Sequence, residues 1–172
     1  MNKTIKTLLA FGACVVVVSI SLIDNWKYRQ RKKTGEQTIG TISSGLKNIS
    51  WTYTVNGHTY TRRLSKSHYY FMEEGEKYII YYDKDDPEQS SLGATDPVFD
   101  TTVFVKTVSL PLNVSVDKGS HEILFKFLVK KDTITRTNRV LFDMKYDQKE
   151  RVYPVYYRAD RPIISYIKIA NE

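Results

Sequence analysis

The sequence predicts an all-β body made of two tandem small antiparallel β units, preceded by one N-terminal transmembrane helix. Three observations predict it: an uncharged apolar run near the N-terminus, alternation of apolar and polar residues after residue 37, and repetition of one strand pattern. Each unit is expected to be barrel-like or a half-open sandwich. With 172 residues, 41% of them hydrophobic, the chain has enough apolar material for folded cores.

The predicted organisation is, in order, a short tail at residues 1–6, a transmembrane helix at 7–23, a basic juxtamembrane linker at 24–37, the first unit at 38–97 and the second unit at 98–172.

The helix is predicted from the 17 uncharged residues between Lys6 and Asp24. At 1.5 Å per residue this run spans about 26 Å, close to the thickness of the hydrocarbon core. Trp26 and Tyr28 follow it, as aromatic residues do at the headgroup level. We therefore expect a single-pass membrane protein that contacts lipid through this helix. A signal peptide cleaved after Ser21 remains the alternative.

The net charge of +7 is distributed unevenly. Residues 1–37 carry 7 basic and 2 acidic side chains (+5), the first unit 6 and 8 (−2), and the second unit 13 and 9 (+4). Five of the basic residues fall between Lys27 and Lys33, beside the apolar run, so the charge does not predict nucleic-acid binding. The positive-inside rule slightly favours a cytoplasmic body, with a periplasmic or extracellular body left open.

The clearest strand signal is a hairpin around Asn56-Gly57, a dipeptide that suits a two-residue type I′ turn. This turn predicts that Val55 pairs with His58, Tyr53 with Tyr60 and Trp51 with Arg62. The Tyr-rich strand beginning at Lys77 is apolar on both faces, which predicts a central position in the sheet.

The two units repeat the same pattern of strands and turns. Residues 77–92 align with 152–167 at an offset of 75, residues 51–62 with 125–136 at an offset of 74, and residues 38–46 with 104–112. In the second unit, Lys130-Lys131 replaces Asn-Gly and is expected to fit a tight primed turn badly. Residues 112–125 read as an extra hairpin that turns at Asp117-Lys118-Gly119.

The residues predict no catalytic, cofactor-binding or metal site. His58, His68 and His121 lack the spacing of a zinc site, and no glycine-rich phosphate loop is present. The Asp83-x-Asp85-Asp86 sequence lacks the glycine and distal glutamate of a calcium loop, and Glu73-Glu74-x-Glu76 reads as a solvated turn. We therefore expect a protein that is not an enzyme, with no cofactor and with binding residues that remain unknown.

Several short motifs carry a family resemblance: Gly40-Thr-Ile, Tyr-Thr-Val-Asn-Gly, Glu-Gly-Glu-Lys-Tyr and Ile-Ile-Tyr-Tyr-Asp. With these motifs, residues 7–92 resemble a bacterial family of domains of unknown function, in which a small β domain follows a transmembrane helix. The resemblance implies this architecture and no catalytic residues.

The predicted function is that of a membrane-anchored, non-enzymatic interaction module whose unknown partner is another protein, with no role for nucleic acid. The alternative is an exported envelope protein, with a cleaved signal peptide, that acts as an inhibitor or a ligand-binding protein.

Overall fold

The structure, a computed structural model of the chain, describes residues 26–45, 48–65, 69–100, 102–143 and 145–169. In these ranges, residues 26–34 form a helix, α1, and the rest of the regular structure is antiparallel strand. The strands are β1 Glu36–Ser44, β2 Asn48–Val55, β3 His58–Ser65, β4 Lys77–Tyr82, β5 Ser90–Pro97, β6 Phe104–Val108, β7 Leu112–Val116, β8 Gly119–Val129, β9 Asp132–Phe142, β10 Tyr146–Arg151, β11 Pro154–Arg158 and β12 Ser165–Ile167.

The first unit is one five-stranded sheet in the order β3-β2-β1-β4-β5. The predicted hairpin is confirmed, with Val55 opposite His58 and Tyr53 opposite Tyr60. Asn56 and Gly57 both have positive φ, as a type I′ turn requires. The Tyr-rich strand β4 lies between β1 and β5, so its predicted central position is also confirmed.

In its described residues, the second unit contains three small sheets: β12-β11-β6, β8-β9 and β10-β7. An antiparallel bridge between Ser109 and Phe127 joins the end of β6 to β8. The extra hairpin predicted at Asp117-Lys118-Gly119 is wrong, because β7 pairs with β10 instead of β8. β8 pairs with β9 along one edge, and its other edge forms the bridge to Ser109 at Phe127.

The strand pairings of the two units correspond residue by residue. Adding 74 to the pair Val55–His58 gives Val129–Asp132, which is a pair of the β8-β9 hairpin. Adding 75 to Ile80–Leu92 likewise gives Val155–Ile167.

The first strand of each unit follows an offset of 69. Gly40 pairs with Tyr53 in the first unit, and Ser109 forms a bridge with Phe127 in the second. The sequence alignment of residue 38 with residue 104 is therefore wrong by three residues. The sequence of a short strand with few distinctive side chains is not enough to align it with its counterpart in the other unit. The residues with which the strand pairs determine that alignment.

The turn between β8 and β9 also differs from expectation. Lys130 takes a φ of 55° and forms a two-residue turn with Lys131, so the tight turn forms in spite of the predicted misfit, with positive φ at its first residue alone. A left-handed lysine is disfavoured by about 1–2 kcal/mol. Eleven paired residues on each strand offset this strain.

The barrel-like alternative is wrong for the described residues, where the sheets are open. In the first unit, β3 and β5 remain edge strands. In the second unit, β9 approaches β12 through one side chain: Asn138 donates to the carbonyl oxygen of Ser165 at 3.1 Å and accepts from the backbone N–H of Ile167 at 2.9 Å. This amide takes the place of a backbone ladder between the two strands.

Two clusters of buried side chains form the cores, and they are composed differently. The second core draws only on the second unit: Val114, Ile123, Phe125, Phe127, Phe142, Tyr146, Tyr153, Val155 and Ile167. The first core combines residues of β1, β2, β4 and β5 and of the loop before β4 with Ile164 and Tyr166 of the second unit. The two units therefore pack against each other.

No helix in the described residues is long and apolar enough to cross a bilayer. The predicted transmembrane segment at residues 7–23 lies outside the described residues.

Candidate functional site

Helix α1 covers the outer face of β4 and β5. Tyr28, Arg31 and Lys32 are spaced i, i+3 and i+4, so they share one side of the helix. The Tyr28 ring meets the edge of Tyr81 at 6.2 Å between centroids, with an interplanar angle of 82°. The guanidinium of Arg31 donates to the Ser91 hydroxyl at 2.8 Å. The basic stretch predicted as a linker is thus helical over residues 26–34 and packed on the first unit.

Lys32 forms an ion pair between the docked helix and the sheet. Its ammonium lies 2.8 Å from one carboxylate oxygen of Asp96 and 3.2 Å from the other. It also lies 5.4 Å from the centroid of the Tyr81 ring. Burial acts to lower the pKa of Lys32, but the hydrogen bond and negative charge of Asp96 outweigh it, so this pKa is raised. The pair favours the charged form of Lys32 at neutral pH.

A glycine directs the chain from α1 into β1. The N–H of Gly35 donates to the Arg31 carbonyl at 2.9 Å. A Cβ at this position would lie 2.6 Å from that carbonyl oxygen and 2.7 Å from the carbonyl oxygen of Tyr82. Only glycine allows this close approach, which sets the angle between helix and sheet.

The remaining basic residues of α1 point away from the sheet. Lys27, Arg29 and Lys33 are exposed, whereas Arg31 and Lys32 are half-buried. The basic stretch therefore has two roles, since two of its cations dock the helix and three face solvent.

A second candidate is a buried charge cluster between the two units. Glu76, just before β4, is 1% exposed, and Arg136 of β9 is 4% exposed. Their carboxylate and guanidinium are 2.5 Å apart. Glu76 also accepts from the Tyr78 hydroxyl at 3.2 Å and from the backbone N–H of Glu73 at 2.9 Å. A buried carboxylate with this many donors is a satisfied structural group.

Electrostatics explain why this cluster holds the two units together. Burial raises the pKa of Glu76, while Arg136 and the donors around the carboxylate act in the opposite direction. Burial also raises the pKa of Tyr78 and Tyr166, so both rings stay neutral. Separating the two units would leave Glu76 without its counter-ion. The cluster is closed to solvent and offers no substrate access.

Glu76 corrects the prediction of a solvated turn at Glu73-Glu74-x-Glu76. Glu74 is exposed, but Glu76 is almost fully buried. Period-two alternation places Glu76 on the same face as Tyr78 and Ile80. This pattern in the sequence could have predicted that Glu76 is buried. No local sequence pattern predicted that Arg136 pairs with Glu76, because the two residues are 60 positions apart in the chain.

A shallow groove of about 200 Å³ lies between β5, β9 and β12. Its wall includes Tyr78, Pro97, Asn138, Val140 and Ile169. The lining also includes Arg139 and Lys168, but its described residues hold no carboxylate or histidine that could pair with them as a general base.

Two of the three histidines considered in the sequence lie in the described residues, on separate strands of the two units. His58 is exposed beside the Asn56-Gly57 turn, and His68 lies outside the described residues. The Nε2 atom of His121 lies 2.6 Å from the Asp117 carbonyl oxygen. Asp83 accepts from the backbone N–H of Asp85 at 3.1 Å, which is a local turn contact. In the described ranges, no group of three or more His, Cys, Asp or Glu residues is arranged to hold a metal ion.

Comparison with known proteins finds a family match for one part of the chain. Residues 15–97 match the family model described as "Domain of unknown function (DUF3592)". The match supports the resemblance to a family of domains of unknown function and ends at the last residue of β5. No curated protein and no solved structure matches the chain.

Proposed function

We propose that this chain is a membrane-anchored, non-enzymatic interaction module that presents its β units next to a bilayer to another protein. The observation that carries the proposal is the docking of α1. The residues directly after the uncharged run are packed on the sheet by Tyr28, Arg31 and Lys32. A helix fixed in this way suits a domain held close to a membrane in one orientation.

The charge of α1 supports the same proposal. Lys27, Arg29 and Lys33 are exposed and follow the apolar run, where cations favour retention on the cytoplasmic side. We therefore propose a single-pass protein with a cytoplasmic body. A reporter fused at Glu172 tests this orientation, and activity only in an exported format would contradict it.

We also propose that the second unit arose by duplication of the first. The support is that equivalent residues, at offsets of 69, 74 and 75, form the same backbone pairs in both units. These pairs also occur where the side chains of the two units are not similar. Under this proposal the first unit, within the matched family domain, and the second unit share one ancestral sheet.

The anchor is tested on the full chain in native membranes. We expect the protein to stay with the membrane at alkaline pH and its intact mass to include residues 1–21. A mature chain that begins at Leu22 would overturn the anchor and support the exported envelope protein instead.

The partner is tested by cross-linking in the same membranes before extraction. We expect one protein to be recovered in a constant ratio to the chain. Arg29→Gln is the control variant. It changes an exposed cation of α1 and leaves in place the contacts of Tyr28, Arg31 and Lys32 with the sheet. Recovery of no protein above the background would count against the interaction module.

A further inference from the structure

The outer face of the second unit exposes a group of large aliphatic side chains. We name it the aliphatic face; its members, each 37–61% exposed, are Val108, Leu110, Leu124, Leu128 and Val152. Side chains alternate between the two faces of a strand. Because Ser109 and Phe127 are paired and buried, their chain neighbours Val108, Leu110 and Leu128 all point outward.

Backbone pairing makes this face continuous across neighbouring strands. The N–H of Leu110 donates to the Lys126 carbonyl at 2.7 Å, which places Leu110 beside the outward side of β8. On the other side, Val108 pairs with Pro154. The aliphatic side chains therefore lie on the same face of neighbouring strands, on β6, on β8 and before β11.

The equivalent face of the first unit has a different composition. The offsets of 69, 74 and 75 match the aliphatic face to Ile39, Thr41, Ser50, Thr54 and Lys77. The shared fold therefore does not require aliphatic residues at these positions. An exposed apolar group of this kind is typical of an interaction surface.

The charges around the aliphatic face are mostly positive. Lys126 lies between Leu124 and Leu128 on β8, and it is exposed. Lys106 of β6 and the turn residues Lys130 and Lys131 are exposed as well, as is one acidic residue beside the turn, Asp132. The acidic residue farther along β8, Glu122, is paired with Arg139 at 2.6 Å.

We propose that the aliphatic face binds an anionic lipid surface. The aliphatic side chains would enter the boundary between headgroups and acyl chains, and the lysines would contact anionic headgroups. This inference rests on the proposed anchor, which keeps the second unit near a bilayer. A second copy of the chain fits less well, since a two-fold arrangement would bring Lys126 and its lysine neighbours against the same cations.

The test places one environment-sensitive fluorophore on the full chain. The native cysteine is removed by Cys14→Ser, and a single cysteine is introduced by Leu128→Cys. The matched control is Thr54→Cys, at the equivalent position of the first unit. Both proteins are incorporated into vesicles of phosphatidylcholine, with or without phosphatidylglycerol.

We expect a blue shift of the probe at residue 128 in vesicles with phosphatidylglycerol, and none at residue 54. High salt and the additional change Lys126→Glu should both reduce the shift, because the lysine contacts are electrostatic. The same spectrum at residue 128 in both kinds of vesicle would overturn the proposal. A shift that requires an added protein extract would also overturn it, in favour of a protein partner.

Flotation of the same vesicles separates this proposal from the anchor. A chain that floats and resists alkali while residue 128 stays in water refutes only the lipid-binding face. A chain that floats only with anionic vesicles and is released by alkali refutes the anchor and supports the face. Failure to float with either vesicle refutes both.

Discussion

The two units share their strand pairings but differ in how their cores are completed. The second core uses only residues of the second unit, whereas the first core includes Ile164 and Tyr166 from across the junction. The buried Glu76 of the first unit likewise has its counter-ion, Arg136, in the second. The first unit, although it lies within the matched family domain, therefore depends on the second for both apolar and ionic contacts.

The largest effect is expected from Tyr166→Ala. This ring is 4% exposed and packs on Tyr78, with centroids 6.4 Å apart. Its loss should reduce the free energy of unfolding by about 3–5 kcal/mol, as for other buried aromatic residues. Urea unfolding of the full chain in a mild detergent measures it. Tyr70→Ala, at an exposed tyrosine, is the control and should cost much less.

Hydrogen exchange on the Tyr166→Ala protein locates the change. We expect faster exchange in β1 and β4 than in the β8-β9 hairpin, because only the first core contains this ring. Equal acceleration in both units would contradict the dependence of the first unit on the second.

Arg136→Gln should be the next most damaging change. It leaves the Glu76 carboxylate buried without a cation, a loss of about 3 kcal/mol. Arg62→Gln is the matched control, since Arg62 is the equivalent residue of the first unit and is half-buried. Urea unfolding of both variants should show a large loss only for Arg136→Gln.

A double replacement tests whether the charge itself is required. Glu76→Met with Arg136→Met removes both charges, so we expect a smaller loss than for Arg136→Gln alone. A loss as large as that of the single variant would show that packing, and not the unpaired charge, causes the effect.

Gly40→Ala should have an intermediate effect. A Cβ at Gly40 would lie 2.5 Å from Cγ1 of Ile80, so the core of the first unit would have to shift. We expect a loss of about 1–3 kcal/mol in urea unfolding, as for other overpacked cores.

The equivalent position in the second unit provides the comparison for Gly40. There Ser109 already has a side chain, and its hydroxyl accepts from the backbone N–H of Tyr153 at 3.0 Å. Ser109→Ala should lower the free energy of unfolding because the Tyr153 N–H loses this acceptor. It should not overpack the core. A tolerated Gly40→Ala would show that Ile80 can move aside.

The smallest effect is expected from Lys32→Met. It removes the ion pair with Asp96, which is partly exposed and should contribute about 0.5–1 kcal/mol. Hydrogen exchange in α1 measures the loosening of the docked helix. Lys33→Met, the adjacent exposed lysine, is the control, and equal loosening by both would contradict the role of the Asp96 contact.

Local sequence patterns predicted the parts of the fold that local chemistry determines. The Asn56-Gly57 turn fixed the register of β2 and β3, and the two apolar faces of β4 predicted its central position. The pairing of β7 with β10 was not predictable in this way. The partner β10 begins 30 residues after the end of β7, and no local turn signal joins the two strands.

The candidate sites were less predictable than the fold. The docking of α1 depends on contacts such as Lys32 with Asp96, 64 residues apart, and a single sequence gives no signal for such a pair. Glu76 could have been assigned to the buried face by alternation, but its partner Arg136 could not.

The Asn138 amide also protects the molecule from uncontrolled strand addition. A short edge strand offers unpaired backbone groups to any extended segment of another chain, and such pairing is a route to aggregation. On β12, the N–H of Ile167 and the carbonyl of Ser165 are already bonded to Asn138. A side chain therefore closes this edge, and a foreign strand would have to displace a buried amide before it could extend the sheet.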